Sequence, residues 1–524
     1  MKRTLFAIVI AFFVTAPVLF SPDCRGASEE VVQSLTQKLE QLDIEEASRE
    51  VTELLSKEPK DGQLLEIASL VAFHRGAYEE ALGLIKSAID LGGEDEKRKG
   101  LALFLEQTIG VTKPLGRHES PHFIIRLDEK QDGFLIDYLT NALEKTYQAM
   151  AEHYGFQPKE KVRIEILPDS KAFYYVSSLS ARDIEIGAVG LCKFNKLMLL
   201  SPAALVHGYR WLDAISHEYM HYLIVKMTVD KAPIWFHEGL AKYDEARWRG
   251  EPSYLSPLLE TLLARALAEQ KLIAFDRMEP SLVKLPTPED VQLAYAEAAS
   301  AIEFIIERAG HKGLKEIMSR MATGEAKGAS ESIKIVLGVG FEEFEKNWKE
   351  FLASKRFKEI GGASVRHYKI KEGRADEERM EMEEIKSLVA RNRAHLGDLL
   401  RERGRMGAAV LEYRRALTDA PDSVAIMTRL SSVLMGMDRD QEVLELLKKA
   451  REISPDHPTT YTYLGKVYLK LRDFKEAREV FETSIQINPF NPEVHRGLAD
   501  VYESLGDQSG AAKEREIAKR LLQR

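Results

Sequence analysis

The stretch Arg210–Met227, RWLDAISHEYMHYLIVKM, decides how the middle of this chain folds. Its apolar residues recur at helical spacing, which predicts one continuous helix. Those apolar positions are Trp211, Ile215, Tyr219 and Leu223. His217 and His221 lie four residues apart, so both rings project from the same face of this helix. Two imidazoles on one helical face are what a tetrahedral zinc site takes from a helix, and Glu218 beside them can reach a water molecule on the metal.

A second predicted helix supplies a third candidate ligand. The stretch Trp235–Ala241, WFHEGLA, begins this helix after a turn at Pro233. Glu238 lies 17 residues beyond His221 (238 − 221), so two antiparallel helices joined by a short loop would place it opposite the histidine pair. Two histidines and a glutamate, with one position left open, form a known catalytic zinc set. His237 is the rival ligand, because consecutive helical residues point about 100° apart and only one of them can face the metal.

Length and charge limit the classes of protein to which this chain can belong. The chain has 524 residues, which suggests about three domains, and its formal net charge is −9. A mildly acidic chain of this kind argues against a nucleic-acid partner. Of its two cysteines, only Cys192 lies beyond the N-terminal segment, and we interpret it as a buried apolar residue on a strand and not as a nucleophile.

Residues 1–27 resemble an export signal. Lys2 and Arg3 precede the apolar run Leu5–Phe20, and small residues follow at Gly26 and Ala27. The run is short for a bilayer span, which takes about 20 apolar residues, so cleavage is the first interpretation and a retained anchor is the alternative. The sequence therefore predicts an exported protein, periplasmic or extracellular, that touches the membrane only through this segment if it stays uncleaved.

The last third of the chain contains an internal repeat. Pro421, Pro455 and Pro489 follow one another at steps of 34 residues (455 − 421 and 489 − 455). The same step relates two further columns: Leu396, Leu430, Leu464 and Leu498; Ala409, Val443, Ala477 and Ala511. A 34-residue helix–turn–helix unit resembles the tetratricopeptide repeat, which predicts about four helix pairs over 386–524. Stacked helix pairs form concave surfaces, so we expect a protein partner there, unless the repeats only stabilise the central domain.

A weaker copy of the same register lies at the N-terminal end. Ala47 and Ala81 are 34 residues apart (81 − 47), and the turn-like Gly76 precedes the second of them. We interpret residues 28–113 as degenerate tetratricopeptide-like repeats. A generic helical hairpin domain is the alternative.

The sequence between the two helical arrays begins with the apolar pattern of strands. Two apolar runs near 122–127 and 162–166 predict strands, and residues 188–200 predict a hairpin with Asn195 near its turn. Helical spacing dominates from residue 210 to about 355. Strands followed by helices predict an α+β domain over 117–356, and residues 357–385 predict a charged linker.

The two motifs together resemble a known peptidase group. HEYMH at 217–221 followed by WFHEGLAKY at 235–243 is similar to the gluzincins, and more closely to bacterial peptidase MA-like domains that occur beside tetratricopeptide repeats. The resemblance implies a thermolysin-like α+β fold, one catalytic Zn²⁺ held by His217, His221 and Glu238, and Glu218 as general base. It implies hydrolysis of peptide bonds by a metal-activated water, with the edge strand near 188–193 aligning the backbone of a protein or peptide substrate.

One position departs from the thermolysin pattern, and a second position allows two interpretations. Thermolysin-type enzymes place an aspartate four residues after the third ligand, where it supports a zinc histidine, and here the position is Lys242. Asp244, Glu245 and Asp213 are the three candidates for that supporting role. Tyr295 is the candidate for the side chain that stabilises the oxyanion, with an ordinary core tyrosine as the alternative.

Two functions therefore stand at this point. The first is a zinc peptidase of the cell envelope whose repeats bind protein partners. The second is a non-catalytic repeat scaffold with a degenerate metallopeptidase-like domain. A general base beside the metal discriminates between them, because a scaffold has no need of Glu218.

Overall fold

The computed structural model describes residues 29–523 apart from 93–94, 186, 251–253 and 364–380. The predicted signal over 1–27 and most of the predicted linker over 357–385 lie outside the described residues. Within the described ranges, no helix is both long enough and apolar enough to span a membrane.

Within the described residues, five consecutive α-helices precede the sheet. They are α1 (Glu29–Glu40), α2 (Ile44–Lys57), α3 (Gly62–Arg75), α4 (Tyr78–Gly92) and α5 (Glu96–Thr112). Local capping defines their ends: the Asp61 carboxylate accepts hydrogen bonds from two backbone N–H groups at the start of α3, and Gly76 ends that helix in the left-handed region. Neighbouring helices bury small, aliphatic and aromatic side chains between them, as stacked helix pairs require.

A five-stranded sheet follows. Its strands are β1 (Gly116–Glu119), β2 (Phe123–Leu127), β3 (Val162–Leu167), β4 (Gly190–Lys193) and β5 (Lys196–Leu200). Their order is β1-β2-β3-β5-β4, with β2, β3 and β5 parallel and both outer strands antiparallel to their neighbours. The strand β4 therefore forms one edge of the sheet. Between the strands run α6 (Ile136–Tyr154), α7 (Ser170–Val176) and α8 (Ala181–Glu185).

Six further α-helices follow the sheet in the described residues of the central domain. They are α9 (Trp211–Thr228), α10 (Ile234–Asp244), α11 (Pro257–Glu269), α12 (Pro288–Thr323), α13 (Ala329–Leu337) and α14 (Phe341–Ser354). The helix α9 packs on the sheet, where the Phe123 and Tyr219 rings meet edge to face at 5.5 Å. The sheet, α6 and these helices share one apolar core.

Eight helices make up the C-terminal part that the structure describes. Their ranges are Leu388–Glu402, Met406–Asp419, Val424–Met435, Asp440–Ile453, Pro458–Lys470, Phe474–Ile487, Pro492–Ser504 and Gln508–Leu522. Gly465 shows why small residues recur in this array: a Cβ there would approach the Phe481 ring to 2.4 Å. The part of the chain that the structure describes is therefore mostly helical, with helical arrays on both sides of the sheet.

A buried ion pair joins the N-terminal helices to the sheet. Lys196 Nζ lies 2.6 Å from a Glu165 carboxylate oxygen, and the Tyr78 hydroxyl of α4 donates to the same carboxylate at 2.5 Å. Burial alone would lower the pKa of Lys196, but Glu165 outweighs it and the pKa is raised. The pKa of Glu165 is lowered by the same partner against its own burial, so both groups are charged.

The turn between β4 and β5 also inserts into the N-terminal helices. Phe194 and Asn195 form a two-residue turn with φ of 58° and 55°, the left-handed pair that a tight hairpin needs. The Phe194 ring packs against Phe73 at 5.0 Å, and the Asn195 amide donates to the His74 carbonyl at 3.2 Å. The N-terminal helices thus fix the tip of the hairpin that carries the edge strand.

The C-terminal repeats dock on the start of α9. The Trp211 indole N–H donates to the Ile485 carbonyl at 3.1 Å, and the Arg210 guanidinium lies 2.6 Å from the Asp456 carboxylate. Both repeat arrays therefore contact the elements that build the site described below.

Removing one partner of the buried pair leaves the other charge without compensation. We expect Lys196→Met to destabilise the protein by about 3–5 kcal/mol. The measurement is the midpoint of thermal unfolding of the full chain. The double variant Lys196→Met/Glu165→Leu should lose less, and Lys57→Met, which breaks an exposed pair with Glu53, should change the midpoint little. An unchanged midpoint for Lys196→Met would contradict this account.

Candidate metal centre

Three predicted ligand side chains converge in the structure. His217 Nε2 lies 3.2 Å from His221 Nε2 and 3.3 Å from Glu238 Oε2, and His221 Nε2 lies 3.4 Å from that same oxygen. Ligand atoms held about 2.0–2.1 Å from a tetrahedral ion lie about 3.3 Å apart, so the triangle matches one face of such a site. Within the described ranges, these three residues form the one cluster of histidine, cysteine and acidic side chains able to hold a metal ion.

The packing of α10 brings Glu238 into place. Gly239, the next residue, lies so close to α12 that a Cβ would approach the Ala298 carbonyl oxygen to 2.4 Å. This contact lets α10 settle between α9 and α12 with Glu238 toward the histidines. His237 is buried beside His221, with the ring centroids 5.7 Å apart, and is not a member of the ligand cluster.

Glu245 supports the first histidine. Its Oε2 lies 3.3 Å from His217 Nδ1, which leaves Nε2 of that ring free to face the cluster. Lys242 Nζ holds the other Glu245 oxygen at 2.5 Å. Lys242, at the position of the expected aspartate, therefore orients the Glu245 carboxylate that supports His217.

The other two candidates for the supporting role are engaged elsewhere. Asp213 accepts hydrogen bonds from Trp248 at 2.9 Å and from Arg249 at 2.8 Å. Asp244 accepts from Arg247 at 2.6 Å and from the Tyr154 hydroxyl. In this structure, of the three acids, Glu245 is the one that contacts a histidine of the cluster.

The electrostatics of the cluster favour a positive charge at its centre. Burial opposes a charged His217, but Glu238 and Glu245 outweigh it and raise the pKa of that ring to about 10. Burial would raise the pKa of Glu238, yet His221 and His217 hold it well below its ordinary value. Metal ligands must be deprotonated, so a divalent cation would take the place of the proton that these groups share.

Glu218 lies against the edge strand. Burial raises the pKa of its carboxyl above the ordinary value, although His221, His217 and the backbone of Cys192 in β4 oppose the shift. A Cβ on Gly190 would approach Glu218 Oε1 to 2.5 Å, so the strand comes this close because position 190 has no side chain. The base candidate is thus held between α9 and β4.

Tyr295 of α12 lies beside the cluster as well. Its ring centroid is 6.1 Å from that of His217. Burial and the charges of Glu238 and Glu218 raise the pKa of its hydroxyl well above the ordinary value. A role in stabilising an oxyanion stays a prediction. Cys192 lies on the strand β4, as predicted, but it is half-buried and not buried, and it lines the cavity described next. Desolvation raises the pKa of its thiol, which fits an inert residue and not a nucleophile.

A cavity of about 1830 Å³ opens over the cluster. All four residues of β4 line it, together with residues from both ends of the chain. Residues from the two repeat arrays include Gln37, Glu66 and Leu70, and Ser454, Pro455 and Asp456. Pockets for small ligands measure about 300–1,000 Å³, so this one has room for a segment of polypeptide.

Comparison with protein families matches three regions of the chain. Residues 142–354 match the Peptidase MA superfamily, and residues 377–524 and 37–96 match tetratricopeptide repeats. The chain thus contains a Peptidase MA superfamily domain flanked by tetratricopeptide repeats at both ends, which confirms the resemblance to peptidase MA-like domains beside such repeats. No curated protein matches the chain.

Several solved structures are similar to part of the chain. The structure "MamA MSR-1 C2" is 24% identical and covers 28% of this chain and 87% of its own, with a TM-score of 0.24. MamA 41-end from Desulfovibrio magneticus RS-1 is 17% identical over 28% of this chain and 88% of its own, with a TM-score of 0.24. A thermophilic tetratricopeptide protein of Thermus thermophilus, TTC0263, is 24% identical over 25% of this chain and 74% of its own, also with a TM-score of 0.24.

Two residues of the site were not assigned from sequence. Glu245 lies seven residues after Glu238 (245 − 238), which is two helical turns. That spacing places both side chains on the same helical face and could have favoured Glu245 over the two aspartates as the supporting residue. Gly190 carries no such signal, because its importance comes from a contact with another element.

The supporting role of Glu245 has a measurable consequence. We expect Glu245→Gln to weaken zinc binding about 10- to 100-fold, because the amide no longer fixes the charge and orientation of His217. The measurement is competition for Zn²⁺ against a chromophoric chelator. Glu152→Gln, an exposed change on α6, serves as the matched control and should bind like the wild type. Equal affinities for Glu245→Gln and the control would contradict the assignment.

Proposed function

We propose that this protein is a zinc-dependent peptidase with a thermolysin-like α+β catalytic domain. The observation that carries the proposal is the triangle of His217, His221 and Glu238 donor atoms with Glu218 held next to it against a sheet edge. A pure scaffold has no need of a buried carboxylate at that place.

The three residues fit a zinc ion. Their donor atoms are two imidazole nitrogens and one carboxylate oxygen at tetrahedral separations, and Glu245 orients one of the imidazoles. A zinc ion bound there would supply Lewis acidity, lowering the pKa of a water molecule from about 15.7 towards about 7 and polarising a substrate carbonyl.

Glu218 is the general base in this proposal. Its buried carboxyl has a raised pKa, which moves it closer to the value at which a base works best near neutral pH. It accepts a proton from the attacking water on one carboxylate oxygen and later donates that proton to the leaving amine. The histidines are committed as ligands, so neither competes for this role.

The substrate in this proposal is an extended polypeptide. The strand β4 is an edge strand, and its four residues line the cavity over the metal centre. A peptide that pairs with a free strand edge gains main-chain hydrogen bonds that do not depend on its sequence. Such pairing would bring successive peptide carbonyls past Glu218, next to Gly190.

The remaining parts of the chain suit a role outside the cytoplasm. Residues 1–27 have the composition of an export signal, so we propose a periplasmic or extracellular enzyme, anchored to the membrane if that segment is retained. The tetratricopeptide repeats would bind a protein partner through the surfaces that do not contact the central domain.

The test of the proposal is the variant Glu218→Gln. We expect it to hold stoichiometric zinc while turnover of a quenched fluorescent peptide library falls about 10²–10⁴-fold, because the amide cannot accept the proton. Glu152→Gln, exposed on α6, should keep wild-type turnover. Zinc binding with equal cleavage by wild type and Glu218→Gln would rule out Glu218 as the base, and zinc binding without cleavage by either would favour the scaffold.

A second variant tests the contact between the strand and the base. In Gly190→Ala the new Cβ would displace the Glu218 carboxylate, and a displacement near 1 Å costs on the order of 10²-fold in rate. We expect turnover to fall by that amount while zinc content stays unchanged. Gly83→Ala on α4, where a Cβ meets nothing within 4 Å, is the matched control. Full activity in Gly190→Ala would contradict the role given to this close approach.

A further inference from the structure

Two lysines flank the turn of the β4–β5 hairpin and face the same side of the sheet. Lys193 and Lys196 are directly opposite each other in the antiparallel register. Residues paired in this way project from one face. The Lys196 side chain reaches Glu165 and Tyr78, so that face is the one covered by the N-terminal helices. Lys193 therefore projects to the side of the sheet opposite the one that carries α9.

The two lysines differ in their partners. Lys196 has its carboxylate within the protein, whereas Lys193 donates to the neutral Ser178 hydroxyl at 2.8 Å and lies 5.2 Å from the Phe194 ring centroid. Among the residues that the structure describes, no carboxylate forms an ion pair with Lys193. Glu66, an acidic residue that also lines the cavity, is bound by Arg98 at 2.8 Å.

Lys193 is also placed where a ligand can reach it. It lines the cavity over the metal centre, as do Ser178 and Phe194. Burial lowers the pKa of its ammonium to about 8, with no opposing charge, so the group is costly to hold there and still protonated at neutral pH. A half-buried cation of this kind favours an anionic group that arrives from outside the protein.

The position of Lys193 along β4 sets its distance from the scissile bond. Lys193 lies three residues beyond Gly190, the residue that contacts Glu218, and three strand residues span about 10 Å. A peptide paired with β4 projects alternate side chains towards α9 and towards the N-terminal helices. The side chain opposite Lys193 therefore points at the ammonium, about three residues from the bond next to Glu218.

We infer that Lys193 is a specificity residue that binds a carboxylate of the substrate, about three residues from the scissile bond. The inference rests on the proposed peptidase function and deepens it, because it names the class of substrate: an extended peptide with an acidic group at one fixed position. That carboxylate comes either from an Asp or Glu side chain or from the C-terminus of the peptide. The latter would make the enzyme trim chains from their ends.

The experiment uses one cleaved peptide in matched pairs, with Glu or Gln at each of the four positions on either side of the scissile bond. The wild type should prefer Glu about tenfold or more in kcat/KM at one position near the third residue, as a charge-assisted hydrogen bond would give. Lys193→Met keeps the stem and removes the charge, so it should lose that preference. Lys171→Met, an exposed change on α7, should keep it.

A second pair of peptides separates the two sources of the carboxylate. Each peptide ends at the preferred position, one as the free acid and one as the amide, and both carry Gln there. A preference for the free acid that Lys193→Met abolishes assigns a C-terminal carboxylate, and a preference confined to Glu peptides assigns a side chain. The absence of any acid preference, or its survival in Lys193→Met, would overturn the inference.

Binding measurements distinguish this result from failure of the proposed function. Fluorescence anisotropy with the labelled Glu and Gln peptides and the Glu218→Gln protein measures affinity without turnover. If no peptide is cleaved but the Glu peptide binds about tenfold more tightly in a manner that Lys193→Met removes, the peptidase proposal fails and the carboxylate site stands. If cleavage depends on Glu218 and both peptides bind and react alike, the peptidase proposal stands and the site fails.

Discussion

The packing of α9 against α10 is the constraint on which the site depends, because it holds two imidazoles and a carboxylate within 3.2–3.4 Å of one another. Groups this close in a sheltered place need a positive charge among them. Without a metal ion, His217 carries that charge, since Glu238 and Glu245 raise its pKa against the effect of burial. The same arrangement favours exchange of the proton for a cation, so the electrostatics and the geometry lead to the same interpretation.

The local part of the site could be predicted from the sequence, and the long-range part could not. Helical spacing placed His217 and His221 on one face, and a short loop placed Glu238 opposite them. The choice among the three candidate supporting acids depended on contacts between separate elements. Trp248, Arg249 and Tyr154 bind the two aspartates, and the sequence does not show these contacts.

In the fold, the longer helices and the hairpin followed from apolar spacing and from the turn. The four-residue strand β1 and the short helices α7 and α8 did not, because each is too short to show a periodic pattern. The arrays at the two ends were predicted as repeats. Their contacts with the hairpin tip and with the start of α9 depend on how separate parts of the chain pack together. The sequence of a single repeat does not predict them.

X-ray absorption at the zinc edge of the purified protein determines whether α9 and α10 hold a metal ion. We expect about one zinc ion per chain with a four-coordinate shell of nitrogen and oxygen at about 2.0–2.1 Å and the outer-shell signal of two imidazoles. That signal should be lost in a His217→Ala/His221→Ala variant that remains folded by circular dichroism. A shell with no imidazole signal, a shell that contains sulfur, or the same spectrum in the double variant would contradict the assignment of the metal centre to α9 and α10.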